Sequence, residues 1–464
     1  MVFSSLTFLF VFLPITLIGY FLFPKKLRIG FLLFASLVFY AWGEPLYVLL
    51  MIGSIAANWA IGLLMDRTET HKKLWLVVSI VLNLAILAVF KYAGLFWNTV
   101  RGLFPAPLSE STVSIRLPIG ISFFTFQIMS YVIDLYRGKT KVQKNPIRFG
   151  AYVTMFPQLI AGPIVRYVDV EAQLADPDIS VDNIADGIRR FLVGLAKKVL
   201  IANTMAVLWA QLSAMPSENG VLGAWVGLFA YTFQIYFDFS GYSDMALGLG
   251  RMLGFRFPEN FRYPYIADSV TDFWRRWHIS LSTWFREYVY IPLGGNRKGM
   301  KRQILNLLIV WALTGLWHGA SWNFVVWGLY YGVLLTLEKL FLGKLFEKLP
   351  KLVRRILTFL VAALGWGIFY FTDFSALGRY LGSLIGVGNP GLFTPTSLAW
   401  SLGFLPMLVL AGVAATPLFA ALSAKLERYA WFRPIRLLGC IALFVLCAAS
   451  LASQSYNPFI YFRF

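Results

Sequence analysis

The chain has 464 residues, 58% of them hydrophobic and only 14% charged, and it carries a formal net charge of +19. So apolar a composition, with many runs of about 20 residues suited to crossing a bilayer, excludes an ordinary soluble protein. The positive balance does not point to nucleic acid, because basic residues gather in the cytoplasmic loops of membrane proteins.

The apolar runs are unbroken on both helix faces, as in LFVFLPITLIGYFLF and LWLVVSIVLNLAILAVF. That pattern predicts helices rather than the alternating strands of an outer-membrane barrel. The expected fold class is an all-α polytopic membrane protein, with about 10 spanning helices plus re-entrant and amphipathic segments around a central cavity. Spans are expected at 6–23, 29–42, 46–64, 74–92, 117–136, 190–211, 222–250, 356–372, 401–422 and 437–453, all in one membrane domain over 1–464. The first run lacks a basic leader and a small-residue cleavage site, so it reads as a retained span whose N-terminus lies outside.

Basic clusters recur at intervals of two spans. They begin with Lys25, Lys26 and Arg28, then Arg67, Lys72 and Lys73, then Arg137 to Arg148. The parity continues through Arg189, Arg190, Lys197 and Lys198, the stretch from Arg251 to Arg302, Lys339 to Arg355 and Lys425 to Arg436. Only Lys91, Arg101, Arg116, Arg379 and Arg463 fall on the other face, which places 36 of 41 Lys and Arg inside and both termini outside. Cys440 and Cys447 would stand about 10 Å apart along the last span, too far for a disulfide, and read as packing residues.

Three stretches do not fit simple spanning. Residues 149–164 are apolar but broken by Pro157, Gly162 and Pro163, with basic residues on both sides, and read as re-entrant. In residues 258–294, Arg275, Arg276, Arg286 and Glu287 forbid a lipid-exposed span, whereas Phe273, Trp274, Trp277 and Trp284 demand burial. An interfacial helix or one sunk into a cytoplasmic cleft satisfies both. Residues 304–337 carry no formal charge, yet Lys301, Arg302 and Lys339 flank them on the same face. Two short helices broken between Gly315 and Asn323 would turn the chain back as a hairpin.

His318 falls at that break, and an ionisable side chain at membrane depth is costly enough to be a functional candidate. Gly315 and Gly319 would allow close approach, Trp317 and Trp322 could wall a dry cavity, and a neutral imidazole there suits a general base. The bland alternative is a core histidine bonded to a carbonyl. His278 lies between Arg275–Arg276 and Ser280, and its residues alone leave it open between an interfacial and a site histidine. His71 reads as a solvated loop residue. Asp238 and Asp244 share an otherwise uncharged run, and at least one of them is expected in a structural polar network. There is no GxSxG elbow, P-loop, cysteine cluster or HExxH, so serine hydrolase, ATPase and zinc-enzyme chemistry lack support, and no metal is expected.

The stretches LPIGISFFTFQIMSYVIDLYRG, FPQLIAGPIVRY, YFDFSGYSDMALGLG, NFRYPYIADSVTDFWRRWHISLSTWFREYVYIPLGGNRKG and LTGLWHGASWNF span a motif core of about 117–338. In these stretches the chain resembles the membrane-bound O-acyltransferase superfamily, and within it the bacterial branch that contains the alginate O-acetyltransferase membrane subunit. The resemblance implies His318 as the principal catalytic histidine and His278 as its companion; the residues themselves add Arg275, Arg276, Trp274, Trp277, Trp317, Asp238 and Asp244 as donor-binding or lining candidates. The resemblance further implies an acyl thioester such as acetyl-CoA as donor with no bound cofactor, a bacterial inner-membrane location, a periplasmic acetyltransferase or SGNH-type partner protein and an extracytoplasmic polysaccharide acceptor. The rivals are a D-alanyl transfer subunit for teichoic acid and, from another class, a transporter using Asp238, Asp244 and His318 as a proton path.

Overall fold

The computed structural model describes residues 1–101, 115–214, 218–453 and 460. Arg463 and the C-terminus, placed outside by the charge map, lie beyond them. The described residues contain helices and no strand. Among the described residues, eight helices are long and apolar enough to cross a membrane, and a bent pair makes nine, which establishes an all-α polytopic membrane protein.

The chain packs as two compact units. The first holds Met1–Phe191 and Tyr242–Glu259. It begins with α1 (Phe8–Leu22), α2 (Lys25–Gly43), α3 (Tyr47–Arg67) and α4 (Lys72–Val100), and continues with α5 (Ile121–Tyr136), α6 (Pro146–Thr154) and α7 (Tyr167–Ala175). The long helices α8 (Val181–Ala214) and α9 (Gly220–Met252) each contribute to both units. α1 and α5 are shorter than the spans expected there, and α5 starts only after Gly120, whose φ of 76° ends the preceding turn.

The broken stretch 149–164 does not cross as one helix. α6 is followed by a single turn, Phe156–Leu159, and every residue from Phe149 to Val165 is buried. Its irregular backbone is bonded inside the protein. The Phe156 N–H donates to Ser36 Oγ at 3.1 Å, and the Tyr152 hydroxyl reaches the carbonyls of Gln127 and Val165, each at 3.1 Å. Such satisfaction is what non-helical backbone at membrane depth requires.

The second unit holds Leu192–Gly241 and Asn260–Phe464. Its short helices α10 (Val270–Arg276) and α11 (Ile279–Phe285) come from the aromatic and charged stretch. They precede α12 (Gly299–His318) and α13 (Trp322–Glu347), which form the expected hairpin. A Cβ on Gly315 would collide with the Phe324 carbonyl, and one on Gly328 with the Trp311 carbonyl, so the two helices run antiparallel with backbones in contact. Their limbs are longer than the short helices expected. At 20 residues α12 is about 30 Å long, the thickness of a hydrocarbon core.

α14 (Lys351–Tyr370) then packs on α13, with Asn323 Nδ2 donating to the Phe369 carbonyl at 3.0 Å. After it, α15 (Phe374–Leu384) leads to α16 (Pro395–Gly403) and α17 (Leu405–Ala414). The single span expected at 401–422 is instead this pair, bent by 50°. Pro406 explains the break, because its ring removes an N–H and crowds the carbonyl four residues back. The last helices are α18 (Leu418–Leu426) and α19 (Phe432–Ser453). Much of the apolar surface of α19, including Leu438, Ile441 and Val445, is exposed, as a lipid-facing helix requires.

Candidate active site

α10 and α11 are one amphipathic stretch interrupted at two residues. Trp277 is extended, and His278 adopts φ 45° and ψ 54°, a left-handed conformation that histidine tolerates better than most side chains. The kink is held by residues 260–262, laid alongside it. The Arg262 N–H donates to the Arg276 carbonyl at 2.9 Å and the Ile279 N–H to the Asn260 carbonyl at 3.0 Å. At its start, α10 is fixed by Glu338 of α13, whose carboxylate accepts from the N–H groups of Val270 at 2.7 Å and Thr271 at 3.1 Å. A carboxylate at a helix N-terminus satisfies orphan donors and complements the dipole.

His278 is 1% exposed and packs edge-on against Phe239, ring centroids 4.8 Å apart. Its Nδ1 lies 3.1 Å from Asn260 Oδ1, and its Nε2 has no hydrogen-bond partner among the described residues. Burial pushes the imidazole down to about 3, with a hydrogen bond within its own residue opposing that shift only in part. The ring is therefore neutral at physiological pH.

His318 is the last residue of α12 and is buried. Trp317, Trp327 and Phe369 enclose it edge-on with centroids at 4.9, 5.0 and 5.3 Å. Its ring stands 6.5 Å from that of His278, and Trp317 stands 5.7 Å from His278. The hairpin turn and the α10–α11 kink thus meet at two imidazoles.

A cavity of about 610 Å³ lies within the same unit, and His278 is in its wall. Trp274, Trp311, Leu281, Phe285 and Val310 give it an apolar lining, and Arg275, Arg286, Glu338 and Lys339 supply charge. Thr314, one turn before His318, also lines it. A mostly apolar cleft with a few convergent charged groups is the usual form of a small-molecule site.

The expected residues divide accordingly. His278, Trp274 and Arg275 line the cavity, and His318 and Trp317 adjoin His278. Arg276 instead pairs with Asp272 at 2.9 Å, and Trp277 packs into the core, its ring tilted against that of Trp366 at 4.5 Å. Asp238 is held by Lys198 at 2.6 Å and accepts the Ile460 N–H at 2.8 Å. Asp244 belongs to the other unit, where Arg190 binds it at 2.9 Å and also bridges Glu259. Both aspartates are therefore ion-paired.

Asn260 and Glu338 were not singled out from the sequence. Glu338 was legible as the single acid that ends the uncharged hairpin run. Asn260 opens the NFRYPY segment, but no periodicity connects it to His278, 18 positions on.

Residues 140–372 match the model of MBOAT, the membrane-bound O-acyltransferase family. The chain is 40% identical over 489 residues to a probable alginate O-acetylase of Pseudomonas putida, with both chains fully covered. It is 34% identical over 433 residues to a peptidoglycan O-acetyltransferase of Helicobacter pylori, covering 84% of this chain and 81% of that one. With a teichoic acid D-alanyltransferase of Bacillus subtilis it shares 29% identity over 268 residues, 54% of this chain and 68% of that one. The matched span contains both histidines and the cavity, and full-length similarity at this level fixes the assignment: the chain belongs to the membrane-bound O-acyltransferase family and is a membrane O-acyltransferase.

Proposed function

We propose that the protein transfers an acetyl group from a cytoplasmic thioester, most simply acetyl-CoA, toward an extracytoplasmic polysaccharide such as alginate. The observation that carries this reading is the pair of buried histidines 6.5 Å apart, one of them in the wall of an apolar cavity that also holds arginines and a lysine. Arg275, Arg286 and Lys339 suit the donor's phosphates, and the apolar wall suits its thin arm. The donor is a substrate, and no bound cofactor enters the scheme.

In the proposed step, an acceptor hydroxyl attacks the thioester carbonyl while His318 takes its proton. A C–O bond forms, the C–S bond breaks, and the proton passes on to the departing thiolate. His278, in the cavity wall, orients the reacting groups. The acetyl group then passes outward, through a periplasmic SGNH-type partner, to the polymer. Arg276, Trp277 and Asp238 act as supports for this arrangement.

The location that goes with this role is the bacterial inner membrane, with N- and C-termini outside and the basic loops inside. Full-length likeness to an alginate O-acetylase, against about half-length likeness to a D-alanyltransferase, favours acetyl over D-alanyl transfer. A proton-coupled transporter using Asp238 and Asp244 is disfavoured by their ion pairing, Asp238 with Lys198 and Asp244 with Arg190.

The test uses purified protein in nanodiscs with acetyl-CoA labelled in the acetyl group, together with mass spectrometry of surface polymers from a deletion strain. Histidine-dependent release of CoA thiol, and loss of polymer acetylation that the intact gene restores, are expected. Unchanged polymer acetylation in the deletion strain would overturn the reading, and substrate counterflow without acyl transfer would replace it with transport.

A further inference from the structure

Asn260 is 1% exposed, and its side-chain oxygen is the centre of a three-way contact. It lies 3.3 Å from the Ser280 backbone N–H, 2.9 Å from Ser280 Oγ and 3.1 Å from His278 Nδ1. A backbone N–H can only donate, so it fixes which end of the amide faces the turn: the oxygen, an acceptor with no proton to give. The contact to His278 then has one consistent assignment, in which Nδ1 carries the proton and donates.

The other ring nitrogen follows from that. A neutral imidazole has one N–H, so with Nδ1 protonated the lone pair sits on Nε2. Burial keeps the second proton away. Nε2 has no hydrogen-bond partner among the described residues, and the ring stands in the cavity wall.

We propose that Asn260 is a positioning residue that locks His278 as its Nδ1–H tautomer, so that the site holds a lone pair at Nε2, ready to accept a hydrogen bond or a proton. Residues 260–262 also hold the left-handed kink at His278, so tautomer and ring orientation are set by one short segment. The inference deepens the acyl-transfer reading and rests on it for its catalytic meaning only. The tautomer itself is a property of the resting protein.

The experiment uses the full-length protein in nanodiscs, labelled with 15N in the histidine rings. The chain has three histidines, and His71→Gln and His318→Gln variants assign the signals. The expected wild-type spectrum gives His278 a pyrrole-type Nδ1 and a pyridine-type Nε2. Asn260→Leu, which removes the acceptor, should release the tautomer and lower kcat with acetyl-CoA by about 10²–10⁴ while changing its KM little.

Asn260→Asp keeps the acceptor and its shape. It should retain the Nδ1–H tautomer and move the acid limb of the rate profile toward neutral pH, because a carboxylate favours the imidazolium. The other titratable groups near His278 are His318, 6.5 Å away, and Arg275, Arg286, Tyr290, Glu338 and Lys339 in the cavity wall, all unchanged in both variants. A pyrrole-type Nε2 in the wild type overturns the proposal. So does a folded Asn260→Leu protein with full kcat or, where that variant does not fold, an Asn260→Asp protein with an unmoved acid limb. Because the ring shifts are read without turnover, absence of acyl transfer would count against the proposed reaction and leave the tautomer decided.

Discussion

The rings of His278 and His318 stand 6.5 Å apart at 65° to each other, and each is carried by the end of a different helical element. His318 closes α12 inside an aromatic box, whereas His278 sits at a left-handed kink in the cavity wall. A group reacting at the cavity wall beside His278 would have both imidazoles close by.

His318→Ala should therefore abolish nearly all transfer. Loss of a general base costs about 10²–10⁴ in rate, and the alanine leaves the hairpin glycines untouched. The protein should stay in the membrane at normal abundance with the donor KM little changed. Polymer acetylation at wild-type level in cells that contain the variant would remove His318 from the chemistry.

The burial of His278 makes stability depend on pH in a defined direction. Its folded value, about 3, lies below the ordinary 6.5. Above about 6.5 neither state holds the proton, and the full stability is present. As pH falls toward 3, the unfolded chain binds a proton that the folded site refuses, so stability drains away. Melting temperature between pH 7 and pH 4 should fall more steeply for the wild type than for His278→Gln, and equal slopes would contradict it.

The hairpin itself is open to a direct test. A Cβ on Gly315 would meet the Phe324 carbonyl, an atom that cannot swing aside. Gly315→Ala must push α12 from α13 and displace His318, one turn on. Activity should fall severely, whereas Gly299→Ala, where a Cβ meets nothing but φ is 80°, should cost only local strain at the start of α12. Matching activities for the two variants would show that close helix contact does not matter.

Much of this arrangement was legible in the chain because charge is so expensive in a bilayer. Lys301, Arg302 and Lys339 on one face forced the uncharged run between them to turn back, and Gly315 and Gly319 marked where. The aromatic and charged mixture around His278 required a cleft for the same reason. What stayed hidden depended on side chains meeting across long sequence separations. Nothing in local pattern says that Asp244 belongs to Arg190, that Arg276 turns back to Asp272 while Arg275 faces a cavity, or that Asn260 grips His278. The bend between α16 and α17 was legible in Pro406, but hydropathy alone ran across it.

The two neighbouring arginines give a contrast that composition alone would not suggest. Arg275 and Arg286 line the cavity, and Arg276 is bound to Asp272. A charge-assisted hydrogen bond contributes about 1.5–3 kcal/mol, so Arg275→Ala or Arg286→Ala should raise the KM for acetyl-CoA about tenfold to a hundredfold with kcat nearly kept. Arg276→Ala should leave KM within about twofold, as expected for loss of a half-exposed ion pair. Steady-state kinetics on the three variants decides it, and an equal effect at Arg276 would place the phosphates elsewhere.

The pair Lys198–Asp238 in the second unit is buried, at 2.6 Å with both side chains 3% exposed or less. Lys198 also donates to Asn203 Oδ1 at 3.0 Å, and Asp238 accepts the Ile460 N–H, so each charge has further support. Removing one partner strands the other, which typically costs about 3–5 kcal/mol, whereas replacing both with apolar side chains of similar volume is often close to neutral. Asp238→Leu and Lys198→Met should each lower the melting temperature markedly, and the double variant should recover most of the loss. Neither residue lines the cavity, so the double variant should keep the wild-type KM for acetyl-CoA. If instead the double variant melts as early as the singles yet binds donor less well, the pair acts on the site and not only on the fold.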